Sequence, residues 1–328
     1  MVRTLVIAPQ WIGDAVMTEP LLRRLHARGE RLTVAALPHI APLFRVMPQV
    51  AEVLALTFPR GGLQWPARRQ LARQMQGQFD AAYVLPNSLK SALLPWLAGI
   101  PQRIGYTGEA RVGLLTQRLP NPPKTKRPPM VALYSRLSGE PGIEGDRPHL
   151  HADAAQSAAT LQAFGLQAGG YVVLVPGAEY GPAKRWPAAH FAALARGLAL
   201  PVLLLGAAKE MPLCAEIAAL APGTVNLAGQ TTLDQVIAVL AAAQHVVSND
   251  SGLMHVAAAL GVPQTAIFGS SSPLHTPPLN DRARVLWLKN EAAYQPPLDC
   301  APCFARACPL GHTRCLNDIT AASVLQKI

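Results

Sequence analysis

Residues 246–261 read VVSNDSGLMHVAAALG, and this stretch decides the fold class of the whole chain. The apolar run before Asn249 predicts a buried strand, and Asn249-Asp250-Ser251-Gly252 has the composition of a tight turn that begins a helix. Gly261 is expected to end that helix. Backbone N–H groups in the first turn of a helix attract anions, so the stretch indicates either a diphosphate site or an ordinary capped helix.

Strand and helix patterns alternate along the rest of the chain. A buried strand is predicted at residues 4–8, and further strands at 32–37, 53–56, 81–85, 104–106, 171–175, 202–205, 225–227, 245–248 and 264–268. Helices are predicted at residues 15–28, 40–47, 66–76, 89–97, 188–198, 211–220, 233–242 and 253–260. Such alternation is typical of an α/β fold with parallel sheets. We therefore expect two doubly wound, Rossmann-like domains, 1–160 and 161–328, whose facing carboxyl edges form a ligand cleft.

The excess positive charge of the chain is confined to its first half. The formal net charge is +10, and residues 1–150 carry all of it, because basic and acidic residues balance in 151–328. This asymmetry predicts an acidic partner for the first half, such as nucleic acid, an anionic membrane surface or a phosphorylated substrate. A general solubility bias is the alternative explanation.

The apolar segments are short. None approaches the roughly 18–20 residues that a membrane-spanning helix requires. Residues 4–8 form a short strand pattern, without the longer apolar region and small-residue cleavage site of a signal peptide. We therefore expect a cytoplasmic protein.

Several common nucleotide-binding signatures are absent from the sequence. It contains neither G-x-x-x-x-G-K-[ST] nor G-x-G-x-x-G, and no two aspartates are spaced as Asp-x-Asp. A transferase that holds a diphosphate through a metal on such an aspartate pair is therefore not expected. A diphosphate would have to be held by backbone amides and cationic side chains, with no cofactor required for catalysis.

Residues 176–187, PGAEYGPAKRWP, supply such groups between a predicted strand and a predicted helix. Gly177 and Gly181 permit close approach of the backbone, and Lys184 can reach a phosphate as a mobile point charge. Trp186 is expected to anchor the start of the helix. The alternative is a plain loop whose basic side chains are solvated.

Asp14 is the candidate catalytic carboxylate of the first half. It follows the first predicted strand and Gly13, at the start of a predicted helix. In that position it could cap the helix. It could also act as a general base that removes a proton from an acceptor hydroxyl.

Residues 85–92, LPNSLKSA, repeat the pattern of a polar turn after a strand. We expect Asn87, Ser88 and Lys90, together with Arg60 and Arg103, to bind an anionic acceptor, since such cations bind phosphates and carboxylates. Each arginine could equally be a solvated surface charge.

A cysteine-rich segment, residues 300–315, lies near the C-terminus. Its thiols follow the pattern C-x₂-C-x₄-C-x₆-C and belong to Cys300, Cys303, Cys308 and Cys315. Four thiols within this span could hold a structural zinc ion. Two disulfides or four reduced thiols are the alternatives, and disulfides are disfavoured in a cytosolic chain.

The quoted stretches resemble the heptosyltransferases of lipopolysaccharide core synthesis, glycosyltransferase family 9. The matching runs are IGD at 12–14, LPNSLKSAL at 85–93, AGIP at 98–101, PGAEYGPAKRWP at 176–187, LAG at 227–229 and NDSGLMHVAAAL at 249–260. The two longest runs carry most of the resemblance. The cysteine-rich segment lies outside the matched pattern.

The resemblance implies the GT-B fold and an inverting transfer of heptose from ADP-L-glycero-D-manno-heptose to the first heptose of the inner core. It implies that Asp14 is the general base and that Lys184 neutralises the leaving diphosphate. The donor residues that it implies are Gly177, Tyr180, Gly181, Lys184, Glu210, Asn249, Asp250, Ser251, Gly252 and His255. An anionic lipid A–inner core acceptor on the inner face of the inner membrane would account for the basic first half without nucleic acid.

Three alternatives remain at the level of sequence. A nucleotide-sugar epimerase would share the two-domain architecture, and a transferase for the first or third core heptose would share the motifs. A basic nucleic-acid-binding protein would explain the charge. The lack of an aromatic-rich sheet face or a nucleic-acid motif counts against that last class.

Overall fold

The computed structural model describes residues 1–58, 62–123, 128–141 and 146–328. These residues form two compact units, Met1–His151 and Ala152–Ile328. The boundary therefore falls earlier in the chain than the predicted division between residues 160 and 161. The reason is the helix Ala154–Ala163, which packs against the helix Leu233–Ala241 and so belongs to the second unit.

The first unit is built on a parallel sheet. Its strands are β1 (Arg3–Ile7), β2 (Arg31–Ala36), β3 (Val50–Ala55), β4 (Ala81–Val84), β5 (Gln102–Tyr106) and β6 (Gln117–Leu119). Its helices, within the described ranges, are α1 (Ile12–Met17), α2 (Glu19–Ala27), α3 (Ala41–Arg45), α4 (Trp65–Met75), α5 (Leu89–Leu97) and α6 (Met130–Ser135). The strand order is β3-β2-β1-β4-β5-β6.

The second unit repeats this plan. Its strands are β7 (Val172–Val175), β8 (Val202–Leu204), β9 (Val225–Asn226), β10 (His245–Asn249), β11 (Gln264–Ile267) and β12 (Ala283–Leu286). Its helices are α7 (Ala154–Ala163), α8 (Ala188–Gly197), α9 (Met211–Leu220), α10 (Leu233–Ala241), α11 (Gly252–Ala259), α12 (Arg314–Asn317) and α13 (Ala321–Leu325). The parallel strands follow the order β12-β11-β10-β7-β8-β9.

Both sheets reverse their strand order at one point, so the prediction of two doubly wound α/β units is confirmed. In the first unit the reversal lies between β1 and β4, and in the second between β7 and β10. Open α/β sheets bind ligands outside the carboxyl ends of the strands at such a point. A ligand is therefore expected at the loops that follow these four strands.

The helix predicted at residues 15–28 is divided in the structure. Helix α1 ends at Met17 and α2 begins at Glu19, with Thr18 between them. Pro20 lies in the first turn of α2, where its missing N–H is tolerated but a continuous helix would be broken. The Thr18 hydroxyl donates to the carbonyl of Ala15, 2.6 Å away, which closes the turn between the helices.

Trp186 links the core of the second unit to its functional loop. Its side chain is 1% exposed and its ring meets Phe191 edge to face, with centroids 4.8 Å apart. The indole Nε1 donates to the carbonyl of Ile319, 2.8 Å away. Leu316 and Val324 belong to the same core, so residues after the cysteine-rich segment are integral to this unit. Within the described residues, no helix is long and apolar enough to cross a membrane.

Candidate functional site

Asn249 joins the two loops at the switch point of the second sheet. It is fully buried at the end of β10, and its Oδ1 accepts from the backbone N–H of Trp186 at 2.9 Å. Its Nδ2 donates to the carbonyl of Pro176 at 2.7 Å. One amide thus holds both ends of the 176–187 loop against the 249–252 turn. The sequence placed Asn249 among the donor residues, but its side chain is committed to the backbone.

Lys184 and Asp250 meet where these loops adjoin. The Lys184 ammonium donates to Asp250 Oδ2 at 2.5 Å, and the hydroxyl of Ser271 donates to the same oxygen at 2.5 Å. Asp250 is 6% exposed, whereas Lys184 is only half-buried. A lysine so placed is held at the edge of the sheet by a carboxylate that a more highly charged anion could displace.

His255, on α11, is buried close to Asp250 and Lys184. Burial lowers its pKa to about 4, with Asp250 opposing the shift and Lys184 adding to it. The imidazole is therefore neutral at physiological pH and adds no charge to the site. A neutral ring in this position can donate or accept a hydrogen bond without changing the balance of charge.

The first turn of α11 leaves polar groups open. Ser251 lies at the N-cap position, but its hydroxyl makes no capping hydrogen bond. Within the described residues its Oγ is buried without a partner, as is Ser248 Oγ on β10. The side chain of Ser251 therefore does not cap this helix. Backbone N–H groups at such an end attract anions.

The side chain of Glu210 packs directly on Gly177. A Cβ at position 177 would overlap the carboxylate of Glu210. Glu210 Oε2 accepts from the backbone N–H of Ala207 at 2.8 Å, which fixes the carboxylate beside the loop. The structure therefore brings two of the expected donor residues, Glu210 and Gly177, into contact.

Tyr180 projects from the loop with its ring 44% exposed. Its hydroxyl donates to the carbonyl of Phe304 at 3.0 Å. The Lys184 ammonium lies 5.6 Å from its ring centroid, and the Arg306 guanidinium lies 5.4 Å from it. The loop is thus in contact with the cysteine-rich segment, which the sequence did not indicate.

Asp14 occupies the corresponding position in the first unit, after β1. It lies in the first turn of α1, three residues after the N-cap residue Trp11, so it does not occupy the N-cap position itself. The buried Tyr134 hydroxyl donates to Asp14 Oδ1 at 3.1 Å. Burial raises the pKa of Tyr134 well above its ordinary value, and the Asp14 carboxylate raises it further. The Tyr134 hydroxyl therefore stays protonated, and its hydrogen bond orients the Asp14 carboxylate.

The 85–92 loop follows β4 on the other side of the first switch point. Asn87 is exposed, and its Oδ1 accepts from the guanidinium of Arg111 at 3.1 Å. Ser88 caps α5, where its hydroxyl accepts from the backbone N–H of Ser91. Lys90 is exposed on the first turn of α5. Asn87 and Lys90 are therefore available to a ligand, whereas Ser88 has a structural role.

Arg103 serves the fold in this structure. Its Nε donates to the carbonyl of Leu114 at 2.6 Å and its Nη1 to the carbonyl of Ile100 at 2.5 Å. These bonds join the connection between β5 and β6 to the residues just before β5, and burial lowers the pKa of the guanidinium. The sequence could not separate this role from acceptor binding. Arg60, the other predicted acceptor arginine, lies outside the described residues.

The four cysteines of the C-terminal segment converge on one small cavity. Cys300, Cys303, Cys308 and Cys315 line it together with His312. All are free thiols, so the disulfide alternative is wrong. Burial raises the pKa of Cys315 to about 11, and the three neighbouring thiols raise it further. Within the described residues, however, no three Cys, His, Asp or Glu side chains are gathered closely enough to hold a metal ion.

Comparisons with known proteins agree with this geometry. The family model described as glycosyltransferase family 9 (heptosyltransferase) matches residues 68–313. Lipopolysaccharide heptosyltransferase 2 of Escherichia coli K12 is 39% identical over an alignment that covers 99% of this chain and 97% of that protein. Lipooligosaccharide heptosyltransferase 2 of Haemophilus influenzae is 38% identical, with 87% of this chain and 88% of that protein covered.

Solved structures extend the likeness to the fold. The E. coli ADP-heptose LPS heptosyltransferase II superposes with a TM-score of 0.85 at 38% identity, covering 99% of this chain and 97% of that one. E. coli heptosyltransferase WaaC with ADP gives a TM-score of 0.70 at 20% identity, covering 99% and 98%. At that identity the second comparison concerns the fold alone.

The two successive doubly wound units match the GT-B fold of the solved heptosyltransferases, and the family model and relatives make this chain a glycosyltransferase of that class. The epimerase alternative is not favoured, because the similar proteins that align over the whole chain are heptosyltransferases. With a family model over most of its length and 39% identity over 99% of it, the chain belongs to glycosyltransferase family 9.

Proposed function

We propose that this enzyme transfers heptose from ADP-L-glycero-D-manno-heptose to the first heptose of the lipopolysaccharide inner core. The observation that carries the proposal is the Lys184–Asp250 pair at the switch point of the second sheet, beside the open first turn of α11. Similarity to heptosyltransferase 2 proteins along the whole chain supports the choice of donor and acceptor.

The donor would bind to the second unit. Its diphosphate would lie against the backbone N–H groups at the start of α11, with the Lys184 ammonium as its cation. Glu210 would contact the ribose or adenine from its position beside Gly177. During transfer the bond between the anomeric carbon and the diphosphate oxygen breaks, and its electron pair remains on ADP. Lys184 would stabilise that charge more strongly in the transition state than in the ground state.

The acceptor would bind to the first unit. Asp14 would remove the proton from the acceptor hydroxyl as its oxygen attacks the anomeric carbon from the opposite face, which inverts the configuration. Tyr134 would hold the carboxylate in one orientation. Asn87 and Lys90 would contact the anionic sugars, and Arg60 keeps its proposed role there. Arg103 is given no role in binding, because its guanidinium is committed to two carbonyls.

The acceptor assay decides between the members of this class. Purified enzyme with ADP-heptose would be offered inner-core acceptors that already carry no, one or two heptoses, and the products would be identified by mass spectrometry. We expect addition only to the acceptor with one heptose. Addition to either of the others would reassign the enzyme to the first or third heptose, and conversion of ADP-heptose without an acceptor would favour an epimerase.

The site of action would be the inner face of the inner membrane, with the basic first unit against anionic lipid. The net charge of +10 supports this location because it is confined to residues 1–150. Sedimentation with vesicles tests it. Binding to vesicles that contain anionic phospholipid, and not to vesicles of zwitterionic lipid, is expected; equal binding to both would contradict it.

The cysteine-rich segment would hold a structural zinc ion. The support is that four thiols and His312 line one cavity, although the thiols would have to move closer together to coordinate an ion. Zinc has no part in the transfer itself. Elemental analysis of protein purified without added metal tests this, with Cys300→Ser/Cys303→Ser as the control. A zinc content below about a tenth of an equivalent in the unmodified protein would contradict the proposed zinc site.

A further inference from the structure

Arg306 belongs to the cysteine-rich segment but contacts the loop that carries Lys184. Its Nε donates to the carbonyl of Tyr180 at 2.9 Å. Its own carbonyl accepts from the backbone N–H of Ala183 at 3.1 Å. The guanidinium and the Lys184 ammonium both lie over the ring of Tyr180. Arg306 is therefore part of the same local structure as Lys184, although the two are far apart in sequence.

The backbone around Arg306 is fixed on both sides. Phe304 has a φ of +52°, a conformation that non-glycine residues rarely adopt. Its N–H donates to the carbonyl of Ser270 at 2.7 Å and its carbonyl accepts from Tyr180. Gly181 has a φ of +154°, and a Cβ there would overlap the carbonyl of Arg306. The segment and the loop are thus in direct backbone contact.

Among the cations around the 176–187 loop, Arg306 is available to bind a ligand. Lys184 is paired with Asp250, and Lys209 is paired with Glu179. Arg306 is exposed and forms no ion pair within the described residues. Because its Nε–H donates to the carbonyl of Tyr180, the N–H groups of the two terminal nitrogens make no hydrogen bond within the described residues and can donate to a ligand.

Arg185, which belongs to the 176–187 loop itself, also forms no ion pair with a carboxylate within the described residues. It is half-buried, and its Nη2 donates to the carbonyl of Ala178 at 3.3 Å. Its Nε is buried without a partner. Arg185 is therefore directed into the loop, whereas Arg306 is exposed and lies, like Lys184, over the ring of Tyr180.

We propose that Arg306 is a second donor-site cation, which binds the diphosphate of the nucleotide sugar together with Lys184. This proposal rests on the proposed function, because it assigns a further contact to the same donor. As the bond from the anomeric carbon breaks and the electron pair passes to the diphosphate, a guanidinium offers two parallel N–H donors to adjacent oxygens. Lys184 alone would have to satisfy both the diphosphate and Asp250.

Calorimetric titration with ADP and with AMP tests the assignment. Arg306→Gln is expected to weaken ADP binding about tenfold or more, as the loss of a charged hydrogen bond predicts. AMP, which lacks the second phosphate, should lose less than about threefold in affinity. Arg306→Lys keeps the charge but not the planar pair of donors, so its affinity for ADP should be intermediate. Arg284→Gln, an exposed arginine on β12, is the matched control and should bind both nucleotides normally.

Chemical modification gives an independent measurement on the unaltered protein. Phenylglyoxal should modify Arg306 in the free enzyme, and ADP should protect it while adenosine does not. Arg284 should react equally with and without ADP. Mass spectrometry of tryptic peptides reads out both sites and does not depend on the folding of a variant.

Different results would contradict the assignment of Arg306 and the proposed function on which it rests. Unchanged ADP affinity in Arg306→Gln, or no protection of Arg306 by ADP, would exclude the contact. Equal weakening of ADP and AMP would show that Arg306 only positions the loop. If the unaltered enzyme bound no ADP at all, the proposed function itself would fail, and the assignment of Arg306 with it.

Discussion

Asp14 and Tyr134 show what a single residue pair contributes to the proposed site. Asp14 is presented by the first turn of α1, and Tyr134 reaches it from α6, 120 positions later. The sequence identified Asp14 because it follows a strand and a glycine. It could not identify Tyr134, because α6 follows a proline-rich stretch that gives no indication of which side chain will face β1.

Asp14→Asn tests the proposed general base. The amide keeps the size of the side chain but cannot accept a proton, so kcat should fall about 10²–10⁴-fold. Donor binding should change less than about twofold, because ADP is proposed to bind to the other unit. Steady-state kinetics and ADP titration measure both quantities. Asp80→Asn, which removes an exposed pair with Arg3, is the control and should remain active.

His245 and His255 predict an effect of acid on the second unit. Burial lowers the pKa of each to about 4, compared with an ordinary value of 6.5. The unfolded chain then binds more protons than the folded chain between these values. Their contribution to the free energy of unfolding is therefore present above about pH 6.5 and declines as the pH falls towards 4.

Urea unfolding at several pH values between 7.5 and 4.5 measures this decline. NMR of protein labelled at histidine should show that the rings of His245 and His255 remain neutral at pH 5.5. If either ring titrated near pH 6.5 in the folded protein, the effect of burial on its pKa would be contradicted.

At the scale of the element, the second switch point is a pair of loops joined by one side chain. Asn249 bonds to backbone at both ends of the 176–187 loop, and Trp186 fixes that loop to the core. Both loops were identified from sequence, since glycines and a lysine between a strand and a helix are informative. The contact between the 176–187 loop and the cysteine-rich segment was not identified, because backbone contacts such as that of Arg306 with Ala183 leave no pattern in the sequence.

Asn249→Ala should destabilise the second unit. The change leaves the N–H of Trp186 and the carbonyl of Pro176 buried without partners, which costs about 2–4 kcal/mol in the free energy of unfolding. Urea denaturation measures it. Asn226→Ala removes one hydrogen bond at a half-exposed edge strand and should cost less than about 1.5 kcal/mol. An equal decrease in the free energy of unfolding in the two variants would contradict the proposal that Asn249 holds the two loops together.

For the whole molecule, the sequence predicted the architecture better than its details. Alternating strands and helices predicted two doubly wound units because parallel sheets require crossover helices. The boundary between the units was misplaced, since α7 has small residues and a weak amphipathic pattern that did not indicate which core it joins. The same limitation applied to Arg103 and Ser88, whose structural roles depend on carbonyls and N–H groups rather than on residue type.

The uneven charge of the molecule predicts how salt affects the two substrates. Raising the ionic strength from about 0.1 M to about 1 M shortens the Debye length from about 10 Å to about 3 Å. The KM for a deacylated, anionic inner-core acceptor should therefore rise several-fold, because residues 1–150 carry the whole excess charge. The KM for ADP-heptose should rise less, since residues 152–328 are close to neutral. A larger effect on the donor than on the acceptor would contradict this distribution of roles.

The pairing of Lys184 with Asp250 has a consequence for the choice of inhibitors. Before any donor arrives, the lysine is already occupied by a neighbouring carboxylate at 2.5 Å. A competitive inhibitor must therefore carry enough negative charge to replace the Asp250 carboxylate. An uncharged mimic of the nucleoside would not break the ion pair between Lys184 and Asp250. Compounds with two adjacent anionic groups should be selected by this site over monoanions of the same size, and over the simple inorganic anions that surround the enzyme in a cell.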